Sequence, residues 1–369
     1  MYGIHMPHLA VRDGWDMKDG FDRTPLALAA EHGHKEVVQL LLKQDGVDVN
    51  SKDIFDRMPL SSAAIGGHEP IVRLLLQQEG VKVHAKDDEG QTPLLWAAKM
   101  GNEPIVRLLL QQEGVGVNAK DNVGRTPLLW AAKWGREAVV RLLLQQEDVE
   151  VNVKDNVGRT PLLLAAKKGY EAVVRLLLQQ EDVEVNAKDD EGQTPLLWVA
   201  IRGHEPIVRL LLQQEDVEVN AKDDEGQTPL LWVAIRGHEP VVRLLLQKEG
   251  VEVNAKDNVG RTPLLLAAKK GHEAVVRLLL QEGVEVNVKD NVGRTPLLWA
   301  ANKGNEDAVR LLLNQGGVEV NVKDNVGRTP LLLAASKGHE AVVQLLVERG
   351  AIDTRYIRTD IPEIVQSSW

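Results

Sequence analysis

Six histidines, His34, His68, His204, His238, His272 and His339, each follow a glycine. Imidazole is the commonest metal ligand and titrates near neutral pH, so such a series invites metal binding or proton transfer. All six, however, hold one phase of a period of 33 to 34 residues. If each period stacks as a helical layer, neighbouring histidines lie about 10 Å apart, whereas zinc–ligand bonds are about 2 Å long. The series is therefore expected to be structural. Asp121, Asp155, Asp189, Asp223, Asp257, Asp290 and Asp324 share a second phase, opening Asp-Asn-Val-Gly or Asp-Asp-Glu-Gly runs. An aspartate there forms a turn by accepting backbone N–H groups, and no two carboxylates stand out as a general acid and base. The absence of cysteine excludes disulfides, thiol chemistry and cysteine-ligated zinc. The chain has no Gly-x-x-x-x-Gly-Lys-Ser/Thr phosphate loop and no Gly-x-Ser-x-Gly elbow. No catalytic residue, cofactor or metal is expected, and the chain is not expected to be an enzyme.

The phases are set by a repeated element. Thr-Pro recurs from Thr24-Pro25 to Thr329-Pro330, with Met58-Pro59 filling the one gap, at steps of 34 residues and a single step of 33 between Pro263 and Pro296. Residues Asp121 to Lys154 show the unit. Asp121 to Gly124 has the composition of a tight turn. Thr126 is suited to cap a helix that opens with Pro127, where no N–H is needed. Gly135 ends it in the left-handed conformation. A second helix is predicted from about Glu137 to Gln146, with Ala138, Val139, Leu142 and Leu143 as its buried stripe. Val149 to Asn152 is expected to be extended. No unit can bury both helices alone, so neighbours must stack, and the Ala pair Ala131-Ala132 permits close approach. Trp96, Trp130, Trp198, Trp232 and Trp299 share a phase held elsewhere by Leu164, Leu266 and Leu333. That exchange predicts packing.

These residues resemble the ankyrin repeat, whose signature is a T-P-L-H-x-A run followed by G-H and a V-V-x-L-L-L helix. Here it reads T-P-L-L-W-A-A or T-P-L-L-L-A-A, then G-H-E-A-V-V-R-L-L-L. The resemblance implies an all-α repeat solenoid of about ten stacked helix-turn-helix units with β-turn or hairpin connections. Its usual histidine is leucine in most units, as at Leu95 and Leu129, which replaces a side-chain hydrogen bond by apolar packing. The expected organisation is a partial preceding repeat over residues 1–18, ten repeats over 19–353 and a tail over 354–369. Leu9 to Asp16 resembles the end of an earlier repeat, consistent either with a piece of a longer protein or with a poorly formed natural start. Asp360 to Val365 could open a short capping helix. The run of nearly identical repeats is also similar to the C-terminal ankyrin arrays of large fungal multidomain proteins.

The resemblance also implies a partner-facing concave surface, made by turn tips and the residues before the glycine that ends the first helix. By position this selects Met100, Lys133, Trp134, Lys167, Lys168, Asp190, Glu191, Ile201, Arg202, Asp224, Glu225, Ile235 and Arg236. Asn122, Val123, Arg125, Arg261, Arg294 and Arg328 join them, giving bands of basic and mixed charge. Trp134 is the sharpest signal, because most sibling units carry Lys, Arg or Met there and tryptophan is a frequent interface anchor.

The reading is a non-catalytic scaffold or recognition module that binds a protein partner along this groove. The alternatives are an artificial, consensus-derived repeat protein without a natural partner, and a binder of anionic nucleic acid or lipid through basic repeats eight to ten. A net charge of −10 argues against general nucleic-acid binding. No apolar run approaches the roughly 20 residues that span a bilayer, and no secretory leader is expected. The expected location is the cytoplasm, with the nucleus as the alternative, and a monomer is expected over a self-stacked oligomer.

Overall fold

Residues 16–351 are described in the computed structural model. Apart from Asp16 to Lys18, the expected partial repeat lies outside them, as do the tail 354–369 and its capping helix. The described residues hold twenty α-helices and no strand. They fall into two compact units, one ending at Asp190 and one beginning at Glu191. The first contains α1 (Pro25–Glu31), α2 (Lys35–Leu41), α3 (Pro59–Gly66), α4 (Glu69–Leu76), α5 (Pro93–Met100), α6 (Glu103–Leu110), α7 (Pro127–Lys133), α8 (Glu137–Leu143), α9 (Pro161–Lys168) and α10 (Glu171–Leu178). The second contains α11 (Pro195–Arg202), α12 (Glu205–Leu212), α13 (Pro229–Arg236), α14 (Glu239–Leu246), α15 (Pro263–Lys270), α16 (Glu273–Gln281), α17 (Pro296–Lys303), α18 (Glu306–Leu313), α19 (Pro330–Ser336) and α20 (Glu340–Glu348).

The first helix of each repeat begins as the sequence predicts. Thr126 Oγ1 accepts the Leu129 N–H at 3.3 Å, and Pro127 takes the first helical position. Met58 caps nothing, yet α3 still starts at Pro59, because the methionine side chain is buried in the stack instead. Gly101 and Gly169 end α5 and α9 in the left-handed region, where a side chain would be strained.

Within each unit, first helices pack on first helices and second on second. The alanine pairs Ala97-Ala98 and Ala131-Ala132 are fully buried, as are Leu95 and Leu129. The second helices bury Val139, Val140, Leu142 and Leu143, but Ala138 is exposed. It shares the outer face with Arg141 and Gln145, at intervals of three and seven, so its place in the predicted stripe is corrected. On that face Arg141 pairs with Glu137 at 2.9 Å, and Arg107 with Glu103 at 2.8 Å. Such exposed i,i+4 pairs contribute about 0.3–0.5 kcal/mol each. The helix ends at Leu143, earlier than Gln146, and Val151-Asn152 form a turn, not an extended segment. The cause lies in the preceding repeat. Asn118 donates from Nδ2 to the Asp148 carbonyl at 2.6 Å and accepts the Glu150 N–H at 3.0 Å, which holds the loop.

The turns are built on buried carboxylates. Asp121 Oδ1 accepts the backbone N–H groups of Val123 (3.0 Å) and Arg125 (2.8 Å). Its Oδ2 accepts from Trp130 Nε1 at 2.8 Å and from Gln91 Nε2 of the preceding repeat at 2.6 Å. One side chain thus joins its turn, its first helix and its neighbour. The second oxygen has two kinds of partner. Trp96, Trp130, Trp232 and Trp299 donate to Asp87, Asp121, Asp223 and Asp290. Where leucine replaces tryptophan, at Leu164, Leu266 and Leu333, the turn's own arginine takes over, as Arg159 on Asp155, Arg261 on Asp257 and Arg328 on Asp324. The Trp–Leu exchange is therefore more than packing. Burial pushes the Asp155 carboxyl up, but Arg159 and the N–H groups of Arg159 and Val157 outweigh it and hold the group below its ordinary value. Burial raises Asp87, and its Trp96 and backbone donors do not fully compensate. Asp155 thus adds stability that is lost on acidification, whereas Asp87 carries a charge penalty that acid relieves.

Backbone bonds stack the turn tips within each unit. Asn122 N–H reaches the Glu89 carbonyl at 3.0 Å, and Asn156 N–H the Val123 carbonyl at 3.1 Å. Asn122 and Asn156 side chains add bonds to the carbonyls of Asp88 and Asn122. Asp121→Ala is expected to cost about 3 kcal/mol, because it strands several buried donors. Glu89→Ala, at an exposed turn tip, should stay within about 0.5 kcal/mol. Chemical denaturation of the two variants checks the difference.

Candidate functional site

The predicted surface residues sit on two separate units. In the first, Trp134 follows α7 and is 47% exposed, whereas Trp130, one turn earlier, is 6% exposed. Met100 and Lys168 are exposed, and Lys133 and Lys167 half-buried. Asp190 is exposed at a turn tip. In the second unit Glu191, Asp224 and Glu225 are exposed at turn tips, and Arg202 and Arg236 are exposed at the ends of α11 and α13. Ile201 and Ile235 are half-buried, and their carbonyls accept from His238 Nε2 (3.2 Å) and His272 Nε2 (3.0 Å). His68 reaches the Glu31 carbonyl at 2.9 Å in the same way. These histidines join adjacent repeats, and no cluster of potential metal ligands occurs among the described residues.

The turn arginines are less available than their charge suggests. Arg125 reaches Asp155 of the next repeat at 3.3 Å and Arg294 reaches Asp324 at 3.7 Å. Arg261 lies 2.6 Å from Asp257, and Arg328 lies 2.8 Å from Asp324. The basic bands read from sequence are thus partly neutralised within the turns. Asn122 is likewise engaged in the tip ladder.

The lysines before the helix-ending glycine are arranged differently. Lys99 Nζ lies 4.2 Å from the Trp96 ring centre and 4.5 Å from that of Trp130. Lys133 Nζ lies 4.5 Å from Trp130 and 5.7 Å from Trp134. Cations and rings alternate along the first helices, an attraction worth about 0.5–2 kcal/mol per contact. Burial lowers the Lys133 amine to about 8, helped by the nearby charges of Arg125, Arg159, Lys168 and Lys99. In the second unit, Lys269 lies 4.0 Å and Arg294 4.4 Å from the Trp299 ring, within a shallow cleft of about 500 Å³. Burial also lowers Lys269, with Arg261, Lys303 and Lys270 adding to the effect and Asp290 opposing it.

One feature of the surface was not anticipated as a series. Phe21, Phe55, Val123 and Val157 are exposed at equivalent turn tips of the first unit, and Val259, Val292 and Val326 at those of the second. The signal is in the sequence, since all occupy the third residue of their turns.

The family model for ankyrin repeats, in three copies, matches residues 6–87, 60–155, 147–223, 215–290 and 282–356. Comparison with curated proteins gives no match.

Trp130→Ala is expected to cost about 3–5 kcal/mol, and Trp134→Ala less than about 0.5 kcal/mol. Thermal melting of the two variants checks which ring belongs to the core. The Lys133 amine titrates near 8 in the folded chain against an ordinary 10.5, so the unfolded chain holds that proton more tightly and stability rises with pH between these values. Lys133→Met should therefore stabilise the chain at neutral pH by about 1 kcal/mol after solvent screening. Melting curves across pH should show the gain fading towards 10.5.

Proposed function

We propose that this chain, which belongs to the ankyrin-repeat family, is a protein-recognition module that binds its partner along the first helices and turn tips. Ankyrin repeats are in general non-catalytic protein-interaction modules, and no helix among the described residues is long and apolar enough to cross a membrane. The observation that carries the reading is Trp134, a large ring exposed beside lysines on a face whose remaining side chains leave it uncovered. The outer helices support it by contrast, because their arginines are paired along the same helix and present a neutralised surface.

The contact set comprises Met100, Lys133, Trp134, Lys167, Lys168 and Asp190 in the first unit. In the second it comprises Glu191, Ile201, Arg202, Asp224, Glu225, Ile235 and Arg236. The working organisation is ten repeats over 19–353 with a partial repeat before and a tail after, in a monomer of the cytoplasm.

Affinity capture from a lysate of the source organism, read by mass spectrometry, tests this. A partner retained by the full chain should bind about 30-fold more weakly to Trp134→Ala, the scale of an interface hot spot. It should bind normally to Glu137→Ala/Arg141→Ala. The reverse pattern would move the site to the outer helices, and loss of capture on nuclease treatment would make the partner a nucleic acid.

A further inference from the structure

The two residues before the glycines that follow α5, α7 and α9 form two rows in the first unit. One is Lys99, Lys133 and Lys167, and the other is Met100, Trp134 and Lys168. Lys99 and Lys133 face no carboxylate within ion-pair distance among the described residues, although the chain has 54 acidic residues to 44 basic. Several other cations of the unit are paired. Arg107, Arg141 and Arg175 pair with glutamates on their own helices, Arg125 and Arg159 with turn aspartates, and Lys86 with the Lys120 carbonyl. Crowded, partly desolvated ammonium groups without a counter-charge are costly in a free protein, and an incoming carboxylate removes that cost. Met100 and Trp134, both exposed in the adjoining row, supply apolar contact beside the charge.

The spacing restricts the occupant. First helices stack about 8–10 Å apart, and a polyproline II segment advances about 3.1 Å per residue with three residues per turn, so every third side chain returns to one face. Three residues of such a segment therefore match one repeat. The second unit lacks the pattern, because the row that begins with Lys269 continues with Asn302 and Ser336, and the Trp134 position is Lys303.

We infer that this face of the first unit is a receptor for an acidic protein segment in the polyproline II conformation, with Asp or Glu at every third position against Lys99 and Lys133 and an apolar side chain on Trp134. The inference rests on the partner face proposed above. It commits to protein carboxylates over nucleic-acid phosphate, because a net charge of −10 opposes a strand with a charge on every nucleotide more than a segment with one on every third residue. The apolar row beside the lysines also suits a peptide side chain.

The probe is a fluorescein-labelled peptide of about twelve residues repeating Glu-Leu-Ser, titrated into the full chain and followed by anisotropy. Comparison peptides repeat Gln-Leu-Ser, or carry the same number of glutamates at every second position, and oligouridylate serves as competitor. The Glu-Leu-Ser peptide should bind most tightly of the three. Lys99→Gln/Lys133→Gln should weaken it by roughly tenfold or more. Trp134→Ala should weaken it as well, while Lys269→Gln leaves it unchanged. Circular dichroism melts confirm that the variants are folded. The inference is overturned if the Glu-Leu-Ser peptide fails to bind, if the spacing of its glutamates makes no difference, if the double lysine variant binds like the parent, or if oligouridylate displaces the peptide at lower concentration. Equal binding of the Gln-Leu-Ser peptide, lost in Trp134→Ala, sinks the acidic specificity and leaves the partner face standing. Indifference of the captured partner to Trp134→Ala removes the face itself, whatever the peptides do.

Discussion

From Asp53 onward the carboxylate at the start of each turn is nearly dry, and everything around it is arranged to keep it satisfied. Asp121 is 6% exposed and still accepts from two backbone N–H groups, an indole and a neighbour's amide. Take it away and the turn loses its closure, Trp130 its orientation and Gln91 its reach into the next layer. Apolar burial supplies the drive to stack, but burial has no direction, and slightly shifted stacks would bury similar area. The carboxylate fixes which turn residue meets which helix, and the stacked tip bonds then carry that register from one repeat to the next.

The proposed partner face depends on how that acceptor is filled. A tryptophan on the carboxylate leaves its ring as a platform, as Trp130 is for Lys99, Lys133 and Arg125. An arginine on the carboxylate is itself consumed, as at Arg159 and Arg261, and leaves no ring. The choice between tryptophan and leucine inside a repeat therefore decides whether cations gather above it. The turn and the charge of the exposed face are coupled through one oxygen atom, although the residues concerned lie in different parts of the repeat.

Most of the fold is legible in the sequence because its signals are local. Thr126-Pro127 starts a helix and Gly169 ends one by backbone chemistry that needs no neighbour. The exposure of Trp134 is legible for a similar reason, since it stands where the later repeats carry Lys168, Arg202, Arg236 or Lys270. What escaped depends on other layers. Gln91 and Asp121 are 30 residues apart, and nothing in either residue announces the bond between them. The inward pull of Arg125 and Arg294 needs the next repeat's aspartate, so charge alone overstated the basic bands. Ala138 was misplaced because periodicity within one helix does not show which side its neighbour occupies. The exchange of Trp for Leu was visible, but its pairing with the turn arginine has meaning only once the carboxylate is seen between them.

The asparagine that grips the following loop has a consequence for heredity. In an internal repeat that is a residue short, α16 runs to Gln281, and Asn254 still accepts the Glu285 N–H at 3.1 Å. The junction thus tolerates a slip in loop length while that accepting bond is kept. A gene encoding such a chain can misalign with itself by a whole period and yield a product whose junctions are chemically familiar. Residues 183–216 and 217–250, which differ only at Ile207/Val241, Gln214/Lys248 and Asp216/Gly250, have the look of such copying. Copying of this kind lets the side chains before each helix-ending glycine diverge one repeat at a time, so new specificity can be sampled without designing a new interior.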